Sequence, residues 1–390
     1  MRSWIYICAA DFIEFNPRLS MKKGTVATKV SMDKLLPFTK KIPETEQAEF
    51  SGGSKFSNGD TIMARITPCL ENGKTAFVDI LAPGEIAFGS TEFIVLRARP
   101  GISDPQFIYY LATSPAFRSI AIKSMVGSSG RQRVQQGVLN ELELKVPYLE
   151  EQHQIGSFLA GLDNKIALNN KLNDNLYEMV NTYYTSLFKN AGYEITTVGS
   201  YAKRIYSGGT PTTSNAAYWD GPFSWFSSGE TRNHFVISTE KAITQAGIDN
   251  SSTKLAKKHD IVMASAGQGF TRGQTSMLLL NTYVNQSVIV IHAERNVLPY
   301  LFWNLTNRYN ELRAISDSSS IRGSLTTKMI SAFKIPLADE ESLQAFTDFA
   351  WSIIPQIENN LLENERLAVM RDSLLPKLMS GEIDVSSIQL

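Results

Sequence analysis

The strings Asp60-Thr61-Ile62-Met63-Ala64-Arg65 and Asp260-Ile261-Val262-Met263-Ala264-Ser265 lie 200 residues apart and read as two versions of one segment. Gly73-Lys74-Thr75 and Gly273-Gln274-Thr275 keep the same offset. Self-similarity at a fixed spacing is the signature of a duplicated structural unit. Downstream the offset shrinks as loops differ. Phe93-Ile94-Val95-Leu96 matches Val288-Ile289-Val290-Ile291, and Pro105 through Leu111 matches Pro299 through Leu305. Lys145-Val146-Pro147 is read against Lys334-Ile335-Pro336, which sets Glu143 against Ala332. A chain of 390 residues exceeds what one hydrophobic core usually serves, so a tandem of two related units is expected.

Each unit has two parts. In the first, short β-rich runs alternate with Gly, Pro and Ser breaks, the pattern of a mixed α/β (α+β) globule. Phe93 to Leu96 and Ser287 to Ile291 predict strands; Phe107 to Leu111 and Tyr300 to Leu305, each soon after a Pro, predict helix starts. The second part is a long helix with a heptad seam. Ile155, Leu159, Leu162, Ile166, Asn169, Asn173, Leu176, Val180, Tyr183 and Leu187 alternate spacings of four and three, as packed helices require. The same seam recurs 191 residues later at Phe346, Ala350, Ile353, Ile357, Asn360, Asn364, Leu367, Arg371, Leu374 and Leu378.

A seam Asn costs stability but rejects wrong registers, because a slip leaves its amide unpaired. Matching Asn layers therefore predict that the two helices pack on each other, antiparallel about a pseudo-two-fold axis. The alternative is that each helix packs only on its own globule with the Asn solvated. Pro355 should kink or break the second helix, which should stop near Pro376. The expected divisions are globules at 1–147 and 191–336, helices at 148–190 and 337–381, and a tail at 382–390.

With 43% hydrophobic and 19% charged residues, the composition is that of a folded soluble protein. Trp4 to Ala10 is too short for a signal segment and reads as a strand, and no run of about 18 apolar residues offers a membrane span. Cys8 and Cys69 stand far apart, which fits a reducing cytoplasm. His153, His234, His259 and His292 show no ligand spacing, so no metal site is expected. Formal charge is zero, yet it is unevenly spread. Residues 1–147 and 191–336 carry 18 Lys/Arg against 14 Asp/Glu and 14 against 9, whereas 148–190 and 337–390 carry 3 against 5 and 3 against 10. Basic globules thus alternate with acidic helices.

A seam of about 33 residues at 1.5 Å each would span roughly 50 Å. B-DNA repeats its major groove about every 34 Å, so two readers on such a strut could address two half-sites about one turn apart.

Several strings resemble those of the specificity subunits of type I restriction-modification systems, and the resemblance covers essentially the whole chain. They are Leu374-Leu375-Pro376-Lys377-Leu378-Met379-Ser380-Gly381-Glu382-Ile383; Ser207-Gly208-Gly209-Thr210-Pro211 followed by Tyr218-Trp219-Asp220-Gly221 and Trp225; and Ile66-Thr67-Pro68-Cys69-Leu70-Glu71-Asn72-Gly73-Lys74 after Gly52-Gly53-Ser54-Lys55-Phe56. The first globule has Ile13-Glu14-Phe15-Asn16-Pro17 where the second has its Gly-Gly-Thr-Pro string. Under the resemblance, the two globules are target recognition domains of different subtypes, implying an asymmetric bipartite target in double-stranded DNA. It further implies docking of two methyltransferase (modification) subunits on the helices, with endonuclease (restriction) subunits in the full complex. S-adenosylmethionine, ATP and magnesium would then belong to those partners, with no cofactor in this chain.

Chemistry within the chain finds little support. The nearest matches to a methyltransferase cofactor loop and catalytic string, Gly267-Gln268-Gly269 and Asn16-Pro17-Arg18, complete neither pattern. The Gly267/Gly269/Gly273 cluster reads as a tight loop between strands. Glu143-Leu144-Lys145 is too short to stand as a nuclease motif.

Recognition needs Arg and Lys for phosphates and polar side chains on loops that reach base edges. The candidates are Lys55, Arg65, Lys74, Arg131, Gln132 and Arg133 in the first globule. In the second they are Thr210, Thr212, Arg232, Ser265, Gln268, Arg272, Gln274 and Arg322, with Arg322 matched to Arg133. Tyr218, Trp219 and Trp225 read as local core. The competing readings are a tandem scaffold that binds only proteins through its acidic helices, and a self-contained restriction enzyme.

Overall fold

A computed structural model of the chain describes residues 4–188, 194–267, 270–317 and 323–388. The chain forms two compact units, Met1–Leu168 with Asn364–Leu390, and Asn169–Glu363. Among the described residues, no helix is long and apolar enough to cross a membrane.

The first unit is built on β1 (Thr61–Ala64), β2 (Thr75–Phe77) and β3 (Phe93–Ala98), with Ile13–Phe15 added at the β3 edge. A second four-stranded sheet runs in the order Glu46–Glu49, Val26–Val30, Ala87–Gly89, Lys55–Phe56. The second unit repeats the plan with β4 (Ile261–Ala264), β5 (Thr275–Leu278) and β6 (Val288–Ala293), flanked by Ala202–Ser207 and Phe235–Val236. The repeat read from sequence is a repeat of hydrogen-bond register. Thr61 opposes Phe77 and Leu96, and Ile261 opposes Met277 and Ile291, all antiparallel.

The Asp opening each repeat string has a structural reason. Asp60 accepts from the Ser57 N–H at 2.8 Å and Asp260 from the Lys257 N–H at 2.9 Å, closing the turn before β1 and β4. Each carboxylate is buried and meets a nitrogen-bearing side chain from the neighbouring strand, Arg97 in a two-pronged contact at 2.7 Å and His292 Nδ1 at 2.6 Å. Helices follow at Pro105–Thr113 and Leu298–Asn307, as the Pro signals predict; Asp104 caps the first by accepting from the Phe107 N–H. The Trp4 to Ala10 run is a strand only over Ile5–Cys8 and then turns into a short helix, Ala9–Phe12.

The late part of the repeat follows a different register from the one its strings suggest. The Val134 N–H donates to the Arg65 carbonyl and the Leu325 N–H to the Ser265 carbonyl, both at 2.8 Å. Cys8 opposes Glu143, and Thr197 opposes Lys334. Both observations fix an offset of 191, so Glu143 corresponds to Lys334, Arg133 to Ser324, and Arg322 to Arg131 by count. The string match had slid by two residues. In a strand such a slip leaves every side chain on its own face, so apolar alternation cannot reveal it.

The seam belongs to α1 (Leu149–Phe188) and α2 (Glu340–Ser380). In the second unit Asn360 Nδ2 donates to Asn173 Oδ1 at 2.8 Å, and Asn169 Nδ2 to Glu363 Oε2 at 2.7 Å. Within the first, Arg371 Nη1 donates to Asp163 Oδ1 at 2.6 Å. Partner numbers fall as those of α1 rise, so the helices pack antiparallel. Asn169 and Asn173 are buried, as are Ile155, Leu162, Leu176, Ile353 and Ile357; Ile166, Asn360, Asn364 and Leu367 are half-buried.

Contrary to expectation, α2 runs through Pro355 without a break; it ends at Ser380, four residues past Pro376 and so near the stop read from sequence. Both prolines are exposed, so the carbonyl that each frees, four residues earlier, lies on a side where water can reach it. The cost of about 3 kcal/mol for an interior Pro is met by the burial of Ile353, Ile354 and Ile357 beside the first. The stop itself falls at Gly381, whose φ of +75° suits glycine and whose missing Cβ leaves room for the Trp4 ring.

Candidate nucleic-acid interface

In each unit three loops meet beyond the end of the central strand. In the first, the Arg65 N–H donates to the Glu92 carbonyl at 2.9 Å and the Arg65 carbonyl accepts from Val134, so loops 65–74, 90–92 and 126–134 converge. In the second, the Ser265 N–H donates to the Ser287 carbonyl at 2.8 Å and the Ser265 carbonyl accepts from Leu325, joining segments 265–267, 285–287 and 323–325. The backbone frame is the same; the side chains hung on it differ.

In the first unit this frame gathers Arg65, Lys74, Arg131, Gln132 and Arg133. Arg131 is exposed, and its side chain has no hydrogen-bond or ion-pair partner among the described residues. Arg65 is half-buried, with Nε unpartnered. Gln132 is half-buried and its carbonyl accepts from the Thr67 N–H at 3.0 Å. Lys74 points inward, its Nζ donating to the Met32 carbonyl at 2.8 Å, and Arg133 is held by Glu92. Lys55 lies over the Phe50 ring at 5.6 Å. Its neighbour Gly53 has φ +117°, and a Cβ there would fall 2.0 Å from the Gly89 carbonyl oxygen, which accounts for the Gly-Gly-Ser-Lys string.

In the second unit Ser265 is 6% exposed and tied through its backbone on both sides. Arg272 is folded inward onto the Gly323 carbonyl and Asp317, so its charge is already satisfied. Thr212 is exposed; Thr210 donates to Gln286; Gln274 is half-buried with Oε1 unpartnered. Arg232 pairs with Glu240 at a cleft of about 600 Å³ lined also by Asp174, Tyr177 and His234. Gln268 and Arg322 lie outside the described residues.

Trp225 is buried, Trp219 meets it edge-on at 5.1 Å, and their indole N–H groups donate to the Gly209 and Thr212 carbonyls. These rings brace the Gly-Gly-Thr-Pro loop from beneath, as the local-core reading expects. A Cβ on Gly208 or Gly209 would strike Val284 or Ser252 at about 2 Å.

Sequence reasoning missed a buried polar chain in the first unit. Lys40, 4% exposed, donates to Gln106 Oε1 at 2.5 Å and Tyr110 at 3.2 Å; Tyr110 donates to Asp163 Oδ2 at 2.5 Å, and Asp163 meets Arg371. Burial pushes the Lys40 ammonium down to about 8, with Asp163 opposing the shift. Arg371 is raised: burial works against its charge, and Asp163 outweighs it. Lys40 falls in a polar stretch, and nothing in its local pattern marks it as buried. His234, the residue that occupies the corresponding place beside β5, is lowered by burial and stacks on Tyr177 at 4.1 Å.

A duplicated α/β unit, an antiparallel helix pair and two unlike loop clusters define a tandem-domain protein. The family described as "Type I restriction modification DNA specificity domain" matches residues 24–178 and 192–367, so the chain belongs to that family. It is 21% identical to the type I restriction enzyme HindI specificity subunit of Haemophilus influenzae, over 83% of this chain and 86% of that one. It is 21% identical to the MjaIX specificity subunit of Methanocaldococcus jannaschii, over 73% and 70%. A solved type I restriction-modification S subunit from M. genitalium shares the fold with a TM-score of 0.60 at 16% identity, covering 96% of each chain.

Proposed function

We propose that this chain is the non-catalytic DNA-recognition subunit of a type I restriction-modification complex, reading an asymmetric, bipartite duplex target with one domain per half-site. The observation that carries the reading is the repetition of one loop frame with different side chains on it: Arg65 against Ser265, Lys74 against Gln274, Glu92 against Ser287. A shared frame suits one task performed twice, and unlike side chains suit two different base sequences. Of the candidates, Arg131, Thr212 and Arg232 are exposed, the last of them paired with Glu240; Arg65 and Gln132 are partly so, and Lys74, Arg133 and Arg272 serve the frame. Methyltransferase subunits dock on the helices, and endonuclease subunits join the full complex; S-adenosylmethionine, ATP and magnesium belong to those partners.

The test is selection from random duplex DNA followed by sequencing. Two short, different motifs at one fixed gap are expected. A single palindromic motif, or no enrichment, would count against the reading, as would turnover by the isolated chain given duplex, magnesium and S-adenosylmethionine.

A further inference from the structure

Resting on that reading, we propose that Glu92 is a specificity-positioning residue: through Arg133 it locks the 126–133 arm so that Arg131 is presented to DNA. Arg133 then acts as a clamp and not as a DNA contact.

The arm is closed at its base by two backbone bonds between Val126 and Arg133, at 3.1 and 2.9 Å. Gly127, at φ +138°, lets the chain turn where a Cβ would sit 2.9 Å from the Arg131 carbonyl oxygen. The outer residues of the arm are open to solvent, and no buried apolar side chain anchors them: positions 127–131 are all exposed. Besides the Thr67 N–H bond to the Gln132 carbonyl at 3.0 Å, what fixes the arm to the globule is a side-chain ion pair. Arg133 Nε donates to both Glu92 carboxylate oxygens at 3.0 Å and Nη2 to one of them at 2.7 Å, while Nη1 reaches back to the Arg131 carbonyl at 3.4 Å. Glu92 is itself anchored, its N–H donating to Ser90 Oγ at 3.1 Å and its carbonyl accepting from Arg65 at 2.9 Å.

A two-pronged guanidinium–carboxylate pair constrains direction as well as distance. Arg133 has few donors left for a phosphate, and Arg131, two residues earlier, has all of its own. The second unit carries Ser287 and Ser324 at the two corresponding positions, so the clamp is private to the first domain.

The experiment uses the full chain and the duplex selection above, with the half-site of the second domain as internal control. Glu92→Gln and Arg133→Gln should each flatten base preference at the first half-site tenfold or more. They should leave the second half-site and the thermal unfolding transition unchanged. The double swap E92R/R133E should recover most of the preference, because the pair is restored with its polarity reversed. Unaltered preference in Glu92→Gln, tighter binding on removal of the carboxylate, or failure of the correctly folded swap to rescue would each overturn the inference. A wild-type chain that selects no duplex at all would overturn the parent reading, and this one with it.

Discussion

His259 holds a backbone conformation, φ +75°, that its counterpart Gly59 adopts at φ +89°. Both N–H groups donate across the same turn, to Leu278 at 2.6 Å and Val78 at 2.9 Å, so the repeat demands the geometry whatever the residue. Histidine accepts the strain and gains an edge-on contact with Trp351 at 4.8 Å. His259→Gly should therefore be more stable than His259→Ala by about 1 kcal/mol, since alanine loses the ring and keeps the strain. Urea unfolding of the two variants measures the difference. A single sequence could not show this, because an isolated histidine carries no mark of its dihedrals; only the register of the second copy exposes it. The same limit applied to the candidate contacts. Arg272 and Arg133 look alike as basic loop residues, and what consumes their charges lies 45 and 41 positions away, at Asp317 and Glu92.

At the scale of elements, the paired helices were readable because a heptad pattern is local and repeats. Their polar layers were only half readable, since Asn169 finds Glu363 while Asn173 finds Asn360. Asn173→Leu alone should destabilise the second unit by about 1–3 kcal/mol, by leaving the Asn360 amide facing an apolar side chain. The double variant N173L/N360L should recover that loss, at the expense of a defined helix register; chemical denaturation with a cross-linking assay of register would check both. Lys40 gives the first unit a pH response. The unfolded chain holds that proton to about 10.5, whereas the folded chain releases it near 8, so between these values the unfolded state binds more protons and stability rises with pH. The burial penalty is full below pH 8. Above about pH 10 the trend reverses, because buried Tyr109 and Tyr110 are raised and resist ionising in the folded state. Wild type should gain on the order of 2 kcal/mol between pH 8 and 10, and Lys40→Met should flatten that rise in urea titrations run at each pH.

For the whole molecule, the two halves hang unlike side chains on one backbone frame. Arg131→Gln should cost about 1–3 kcal/mol of discrimination at the first half-site, as loss of a base-edge contact does, and should lower the slope of log affinity against log salt through its lost charge. Arg272→Gln should leave the slope unchanged, because its guanidinium is spent on Asp317; binding isotherms over a salt series separate the two. Duplication was legible because strand register follows backbone pairing, which similar sequences share. The division of labour was not, because it depends on which side chains reach each other after folding. That asymmetry extends to the seam. Asp163 and Arg371 meet in the first unit, and the positions 191 residues away from each, Ile354 and Val180, are aliphatic core in the second. Were α1 laid against another α1, or α2 against another α2, a carboxylate or a guanidinium would be stranded opposite an aliphatic group, at about 3–5 kcal/mol for each uncompensated charge. A transplanted α1 that carries this aspartate would therefore need an α2 that supplies the arginine.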